Sequence, residues 1–211
     1  MPSEFEIGCL KSIDPSIPVL RYRDKTVVYA QGDRLEGLFC LLHGIVKLSH
    51  VTEGGMQLTI DVIGKGEVFG TALSDHFSDH TAASLGETQV ALVSHQKLKS
   101  LACHSPDFAT FLFDRLESRQ RRTERKMITL LTKGLETRLV EILHELALMF
   151  GAPCRHGYAL EIPLTQQDIA DLVFASRPAV TKAMNALRRR GVLDYRRDLI
   201  CVAAAAFVTY V

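Results

Sequence analysis

Residues 165–193 read TQQDIADLVFASRPAVTKAMNALRRRGVL, and this stretch decides the fold of the C-terminal part of the chain. Apolar residues recur at helical spacing on both sides of a break at residues 174–176, so the pattern predicts two short helices joined by a tight turn. Ser176 stands where a helix N-cap is expected, and Pro178 falls in the first turn, where its missing N–H group costs nothing. The second helix is therefore expected to begin near Ser176.

The second predicted helix has a strongly basic polar face. From residue 176 to residue 198 the chain has seven Lys or Arg against two Asp, although the net charge of the whole chain is only +1. A run of like charges is often just a solvated helix surface. Here the local concentration of basic charge indicates a polyanion as the partner of the C-terminal third.

Length, cysteine usage and hydropathy bound the class of protein. The 211 residues suffice for one large domain or two modest ones. The five cysteines are scattered and form no C-x-x-C pair, so neither a disulfide framework nor a zinc site is expected, and free thiols favour the cytoplasm. No apolar run reaches the roughly 18 residues of a membrane helix, and the acidic start MPSEFEIG is unlike a signal peptide. The sequence predicts a soluble cytoplasmic protein without a metal site.

The first half of the chain has the pattern of an antiparallel β domain. Between residues 18 and 95, glycines separate short runs that are rich in Val, Ile, Leu, Thr and Phe, as in a sandwich or barrel. The clearest hairpin is KLSHVTEGGMQLTIDVI, residues 47–63. Gly54 and Gly55 are expected to supply the positive φ angles of a two-residue turn.

A long helix is predicted next, because residues 107–133 contain neither Gly nor Pro and would span about 40 Å as a helix. A stripe that includes Phe108, Phe111 and Leu112 is expected to pack against a second copy of the helix, which makes a homodimer. Polar residues near Arg119 and Glu124 interrupt this stripe. They either face solvent or line a ligand site at the dimer interface.

The remainder of the chain, residues 135–211, has the order of a winged helix-turn-helix. A predicted helix ends at Gly151, a short strand follows over YALEIPL, the two helices at 165–193 come next, and VLDYRRDLICV closes a hairpin. The fold class is therefore α+β. The sequence predicts no catalytic residues, because it lacks a nucleophile elbow, a phosphate-binding loop and an H-E-x-x-H motif.

Several motifs together resemble the CRP/FNR superfamily of bacterial transcription regulators. They are VYAQGD (28–33), LLHGIVKLSHV (41–51), GKGEVFG (64–70) and the stretch at 164–193. The resemblance implies an N-terminal β-roll of the cyclic-nucleotide-binding type over residues 1–105, a dimerisation helix over 106–134 and a winged helix-turn-helix over 135–211. It also implies a homodimer that binds double-stranded DNA and works with RNA polymerase.

Within this superfamily the chain resembles the 2-oxoglutarate-responsive nitrogen-control branch. The shared pieces are LLHGIVKLS, EGGMQLT, VFG and, along the long helix and just after it, SR (118–119), TE (123–124), TL (129–130) and RL (138–139). The resemblance implies that a small anionic effector such as 2-oxoglutarate binds where the β-roll meets the long helix. The residues it assigns to that site are Phe69, Gly70, Thr71, His80, Arg119, Thr123 and Glu124.

The chain also departs from these relatives in its effector segment. Gly70–Thr71 and His80–Thr81 stand where cyclic-nucleotide members have Gly-Glu and Arg-Ser pairs, so cAMP is not expected to bind. His80 also replaces an arginine of the nitrogen-control branch, and a neutral imidazole holds a carboxylate less firmly than a guanidinium does. Protonation of His80 near pH 6 is expected to strengthen carboxylate binding.

Two further departures lie in the helix-turn-helix. Phe174 occupies a position where the family usually has Gly or another small residue, and a left-handed conformation there would carry a strain of roughly 1 kcal/mol. Pro178 stands where many relatives have a Glu that reads a base, so the operator sequence is expected to differ from theirs.

Roles on DNA follow from residue type and position. Ser176, Arg177 and Pro178 begin the helix that enters the major groove, and the Arg177 guanidinium suits guanine O6 and N7. The remaining polar residues are expected to hold phosphates without reading sequence. They are Thr165, Thr181, Lys182, Arg188, Arg189 and Arg196.

Two alternatives stay open at this stage. The regulator either needs no effector at all or senses haem or redox state through groups such as His76, His80, the cysteines and Pro2. A histidine in a loop is more often simply solvated, so no haem cofactor is expected.

Overall fold

The computed structural model describes residues 14–72, 76–155, 157–196 and 199–203. The chain divides into two compact units, residues 1–123 and 124–211. The first unit contains β1 (Val19–Tyr22), β2 (Val27–Tyr29), β3 (Arg34–Leu35), β4 (Gly37–Val51), β5 (Gln57–Ile63), β6 (Val68–Gly70), β7 (His76–Phe77) and β8 (Thr81–Ser94). These strands are followed by α1 (His95–His104) and by α2 (Pro106–Thr132), which extends past the division.

The first unit is built on two long antiparallel strands, β4 and β8. The strand order is β1-β8-β4-β5, while β2 also pairs with β8, β6 also pairs with β4, and β3 pairs with β7. Register shifts along β4 bend the sheet, since a β-bulge locally increases strand twist. The predicted antiparallel β-roll is confirmed.

The hairpin between β4 and β5 is present, but its turn differs from the predicted one. The strands end at Val51 and resume at Gln57, and the Gly55 N–H group donates to the Thr52 carbonyl (2.9 Å). Only Gly55 has a positive φ, 78°. The loop therefore follows the three-residue pattern in which a left-handed glycine closes a turn, and the prediction of a two-residue turn was wrong.

Two apolar clusters fill the first unit. One lies between the strands and includes Tyr29, Phe39 and Phe69, the last two with stacked rings whose centroids are 5.2 Å apart. The other joins β4 and β8 to α1 and α2. Because Phe108, Phe111 and Leu112 belong to this second cluster, the predicted packing of these three residues against a second helix copy was wrong.

The second unit has the predicted winged helix-turn-helix order. It contains α3 (Leu135–Phe150), β9 (Ala152–Cys154), β10 (Gly157–Leu160), α4 (Gln166–Leu172), α5 (Arg177–Arg189), β11 (Leu193–Arg196) and β12 (Leu199–Ala203). The sheet order is β11-β12-β10-β9, and β9 is a strand that the sequence analysis missed. In the described ranges, none of the helices combines the length and apolar character needed to cross a membrane.

Candidate nucleic-acid interface and effector site

Helix α4 begins with a reciprocal cap. The Thr165 hydroxyl donates to Asp168 Oδ2 (2.6 Å) and accepts from the Asp168 N–H group (3.1 Å), while the Thr165 N–H group donates to the same carboxylate (2.8 Å). Asp168 is buried by this arrangement. The Thr165 hydroxyl hydrogen thus already has a partner within the helix start, and the role of Thr165 as a phosphate ligand stays a prediction.

The turn between α4 and α5 is strained at Phe174, which has a φ of 53° and a side chain that is 72% exposed. The left-handed conformation anticipated at this position is therefore present. Arg138 of α3 supports the turn, since its Nη1 donates to the carbonyls of Val173 (3.1 Å) and Phe174 (3.5 Å). A half-buried arginine thus supplies donors for the carbonyl groups at the helix end.

Helix α5 begins as the sequence predicts. Ser176 has extended backbone angles, and its hydroxyl accepts from the Ala179 N–H group at 3.4 Å. Pro178 lies in the first turn, and no acidic residue does. The helix dipole therefore leaves a positive potential beside exposed Arg177.

The outer face of α5 forms a shallow concavity of about 690 Å³. Gln166 joins this surface from α4, where its Oε1 accepts from the Thr181 hydroxyl (2.9 Å). Gln166 and Asn185 are functional candidates that the sequence analysis did not assign to the DNA site. The residues that line the concavity are Gln166, Arg177, Pro178, Thr181, Lys182, Asn185 and Arg189.

Arg188 is engaged differently from this group. Its Nε lies 2.7 Å from Asp194 Oδ1, and its guanidinium sits over the Tyr195 ring at 5.5 Å. The guanidinium therefore braces the helix against strand β11, and a phosphate contact by Arg188 stays a prediction. For Arg196 the structure describes the backbone of β11, where it pairs with Leu199.

The residues predicted for the effector site are only partly assembled. Phe69 is fully buried in the aromatic cluster. Gly70 has a φ of +93°, and a Cβ there would lie 2.8 Å from the Phe39 ring, so only glycine fits against β4. Thr71 forms a hydrogen bond with His95 Nε2 (2.9 Å). These three residues therefore serve the packing of β6 in this structure.

Arg119 is the predicted residue that contacts the strands most directly. Its Nη1 donates to the Val68 carbonyl (3.3 Å), and its Nε lies 4.0 Å from Asp61 Oδ2. These contacts lie within one chain, whereas one alternative of the sequence analysis placed this polar segment in a ligand site at the dimer interface. A guanidinium held by one neutral carbonyl and one distant carboxylate keeps donors for a ligand.

Arg122, one turn further along α2, is much more firmly held. Its Nη2 pairs with Asp61 Oδ2 at 3.0 Å and its Nη1 pairs with Glu67, while its side chain is only 13% exposed. The sequence analysis missed Arg122 and both carboxylates. The alternation of apolar and acidic residues in TIDVIGKGE carries no signal that Asp61 and Glu67 meet the long helix.

His80 lies beside this cluster but is bound to a neighbour. Its Nε2 is 2.8 Å from the Tyr29 hydroxyl. Burial, together with the Arg119 charge, holds the pKa of His80 below its usual value, and burial also raises the pKa of Tyr29. The expectation that His80 becomes protonated near pH 6 is therefore not supported, because its imidazole stays neutral to lower pH.

Thr123 and Glu124 follow Arg122 on α2. The Thr123 hydroxyl donates to the Arg119 carbonyl of its own helix (3.0 Å), and both side chains are exposed. Glu124 is the first residue of the second unit.

The groups considered for haem or redox sensing are dispersed. Pro2 lies outside the described residues, and His76 is exposed on β7. Within the described ranges no group of three or more His, Cys, Asp or Glu is placed to hold a metal ion. Burial raises the pKa of the Cys40 thiol to about 12, so this thiol is unreactive.

Comparisons with known proteins agree with this architecture. Residues 19–104 match the cyclic nucleotide-binding domain, and residues 137–206 match the Crp-like helix-turn-helix domain. The global nitrogen regulator of a Nostoc species is 30% identical over 184 residues, which cover 85% of this chain and 82% of that protein. The CRP-like cAMP-activated global transcriptional regulator of Mycobacterium tuberculosis is 30% identical over 168 residues, or 78% of this chain and 74% of that one.

A solved structure shows the same fold over nearly the whole chain. The c-di-GMP responsive global regulator CLP of Xanthomonas campestris superimposes with a TM-score of 0.77 at 23% identity, covering 93% of this chain and 99% of that one. Fold, domain matches and relatives lead to one assignment. This chain is a DNA-binding transcription regulator that belongs to the CRP/FNR superfamily.

Proposed function

We propose that this regulator binds DNA as a homodimer, with α5 of each subunit in the major groove and a small anionic effector bound beside Arg119. The observation that carries the proposal is the outward basic face of α5, where Arg177, Lys182 and Arg189 line one concavity. A helix of this kind places its N-terminal residues at base edges, and a two-fold dimer presents two such helices about one DNA turn apart.

The dimer part of the proposal rests on the long helix. Leu116 is 36% exposed, Met127 55% and Leu131 80%, so each leaves apolar surface in contact with water in the single chain. Pairing with a second copy would bury it. We assign residues 1–105 to sensing, 106–134 to dimerisation and 135–211 to DNA binding, with action on RNA polymerase in the cytoplasm.

The effector part rests on the donors that Arg119 retains. A carboxylate effector such as 2-oxoglutarate would accept hydrogen bonds from the guanidinium in a bidentate geometry. Such a ligand can shift DNA binding only if it contacts α2 differently in the two states of the protein. Because Phe69, Gly70 and Thr71 are used in packing, Arg119 is the residue on which this assignment depends.

Selection of duplexes from a randomised library, followed by titration of the selected duplex, tests DNA recognition. Arg177→Ala should lose discrimination at one base pair per half-site by about 5- to 150-fold. Lys99→Ala, which removes an exposed positive charge from α1, is the matched control and should bind like the wild type. A protein that elutes as a 23.5 kDa monomer and enriches no sequence would contradict the proposal.

Calorimetric titration with 2-oxoglutarate tests the effector. If it is the effector, it should raise operator affinity by about 5- to 150-fold, and Arg119→Ala should abolish this gain while basal DNA binding persists. Absence of heat together with full operator affinity would instead indicate a regulator that needs no effector.

A further inference from the structure

Four residues join the recognition helix α5 to strand β11 in a closed set of contacts. Tyr195 Oη donates to Asn185 Oδ1 (3.0 Å), and the guanidinium of Arg188 sits over the Tyr195 ring. Asp194 Oδ1 completes the set, since it pairs with Arg188 Nε (2.7 Å) and accepts from the Tyr195 N–H group (2.9 Å). Tyr195 is thus held at three points: its backbone N–H group, the face of its ring and its hydroxyl group.

This arrangement orients the Asn185 amide. When Oδ1 accepts from Tyr195, the Nδ2 group occupies the other branch of the amide and keeps two donors for another partner, and one lone pair of Oδ1 also remains. Asn185 lies four residues after Thr181 and three after Lys182, so it shares their helix face. It lines the same concavity as Arg177.

An asparagine with these groups available matches the major-groove edge of adenine, where Nδ2 donates to N7 and Oδ1 accepts from the N6 amino group. We propose that Asn185 reads an adenine in each half-site and that Tyr195 is the positioning residue that holds its amide in register. The proposal rests on the proposed DNA-binding function. It adds a second base-reading residue beyond Arg177.

The same contacts give Arg188 and Asp194 a supporting role. Arg188 contacts Asp194 and the Tyr195 ring. Its removal should therefore make Tyr195 more mobile and reduce discrimination at the base pair that Asn185 contacts. A residue that only holds a phosphate would instead weaken all sequences alike. Selectivity at one base pair therefore separates the two roles.

The test uses the full-length protein, duplexes selected from a randomised library, and a duplex of unrelated sequence at fixed salt. Asn185→Ala should lose discrimination at one adenine per half-site by about 5- to 150-fold. Asn185→Asp keeps the acceptor for Tyr195 but lacks the donors, so its preference at that position should move toward cytosine. Tyr195→Phe should weaken discrimination at the same base pair by about 2- to 12-fold.

Tyr158→Phe is the matched control, because it removes a tyrosine hydroxyl from β10 of the same sheet. It should leave the selected sequence unchanged. For the variants that keep the net charge, affinity for the unrelated duplex should stay within about twofold of wild type, since phosphate contacts supply that binding. Asn185→Asp adds a negative charge and should bind both duplexes more weakly, so only its base preference is compared.

The possible failures are distinguishable. If the wild type enriches no sequence, the proposed function fails. If it enriches one and Asn185→Ala leaves every position of it unchanged, the reading role of Asn185 is wrong. If Tyr195→Phe alters a different base pair, or all base pairs alike, the positioning role of Tyr195 is wrong.

Discussion

The two sites of this molecule use basic charge in opposite ways. On α5, Arg177 and Lys182 are exposed and line an open concavity. In the middle of α2, Arg122 is paired with two carboxylates within the chain, and Arg119 lies 4.0 Å from one of them. The α5 surface is suited to a large polyanion, whose negative charges can pair with these exposed basic side chains. At the second site, internal carboxylates already neutralise part of the arginine charge, so the proposed anionic effector would bind only through the donors that they leave available.

The two sites should differ most in how strongly ligand affinity depends on the salt concentration. A protein that makes six to ten phosphate contacts loses about 10³–10⁵ in DNA affinity between 50 and 200 mM salt, because bound counterions are released. We expect a loss of this size for operator binding, measured by fluorescence anisotropy. Effector binding at Arg119 should change far less, since a single small anion releases few counterions.

A flat salt response for DNA would break the comparison, because α5 would then not act through its charge. The unrelated duplex serves as control and should show a slope at least as steep as that of the operator.

Asp61 provides the next test. Asp61→Asn removes the internal carboxylate that competes with an effector for Arg119, so effector affinity should rise by at most about fivefold, the range of a partly exposed ion pair. Calorimetry with 2-oxoglutarate measures the change. Glu67→Gln is the matched control, because it removes the other partner of Arg122 and leaves the Arg119 contact in place.

A rise with Glu67→Gln equal to that with Asp61→Asn would show that loosening Arg122 is what matters. A loss of affinity with Asp61→Asn would mean that Asp61 positions Arg119 for the ligand and does not compete with it.

The difference between the two regions also explains what the sequence could predict. The start of α5 depends on Ser176 and Pro178, which act within one turn of the chain, so its position and exposed face follow from local rules. The position of Arg119 on a helix was predictable in the same way. Periodicity did not predict its contact with Val68, because 51 residues separate the two and no periodicity specifies which strand faces which helix. Only the family resemblance, which assigned Phe69 and Arg119 to one site, brought this segment beside the helix.

The long helix shows a related limit. A stripe of apolar residues predicts that one helix face is buried, but it does not identify what covers that face. Phe108, Phe111 and Leu112 are covered by the strands of the same chain. Apolar residues that remain exposed, such as Met127 and Leu131, are the ones that the proposed dimer would bury.

The strained turn at Phe174 in the second unit tests a local rule, the free-energy cost of a left-handed backbone at a residue other than glycine. A left-handed non-glycine residue costs roughly 1–2 kcal/mol, and the flexibility of glycine in the unfolded chain offsets about 0.5–1 kcal/mol of this. Because Phe174 is 72% exposed, Phe174→Gly should raise the unfolding free energy by about 1 kcal/mol or less. Phe174→Ala keeps a Cβ and should not gain.

Urea titration followed by circular dichroism measures both variants. Loss of stability in Phe174→Gly would show that the phenylalanine side chain makes contacts worth more than the backbone strain.

The smallest expected effect concerns His80. It tests whether the imidazole beside Arg119 resists protonation in the folded chain. Its folded-state pKa lies below the usual value of about 6.5 because the imidazole is half-buried and Arg119 is near. As the pH falls below about 6.5, the unfolded chain takes up a proton that the folded chain resists, so the unfolding free energy decreases until the folded-state pKa is reached.

His80→Gln keeps a polar partner for the Tyr29 hydroxyl but cannot be protonated. Its unfolding free energy should therefore fall less between pH 7 and pH 5 than that of the wild type, as measured by urea titration at each pH. For the same reason, the affinity for 2-oxoglutarate should change less between pH 8 and pH 6 than it would with an imidazole of ordinary pKa, since burial and Arg119 oppose protonation of His80. Equal pH slopes in the two proteins would mean that His80 titrates alike in the folded and unfolded chains. The lowered pKa inferred for His80 would then be wrong, and a protonated His80 would have to be counted with Arg119 among the groups that attract an anion.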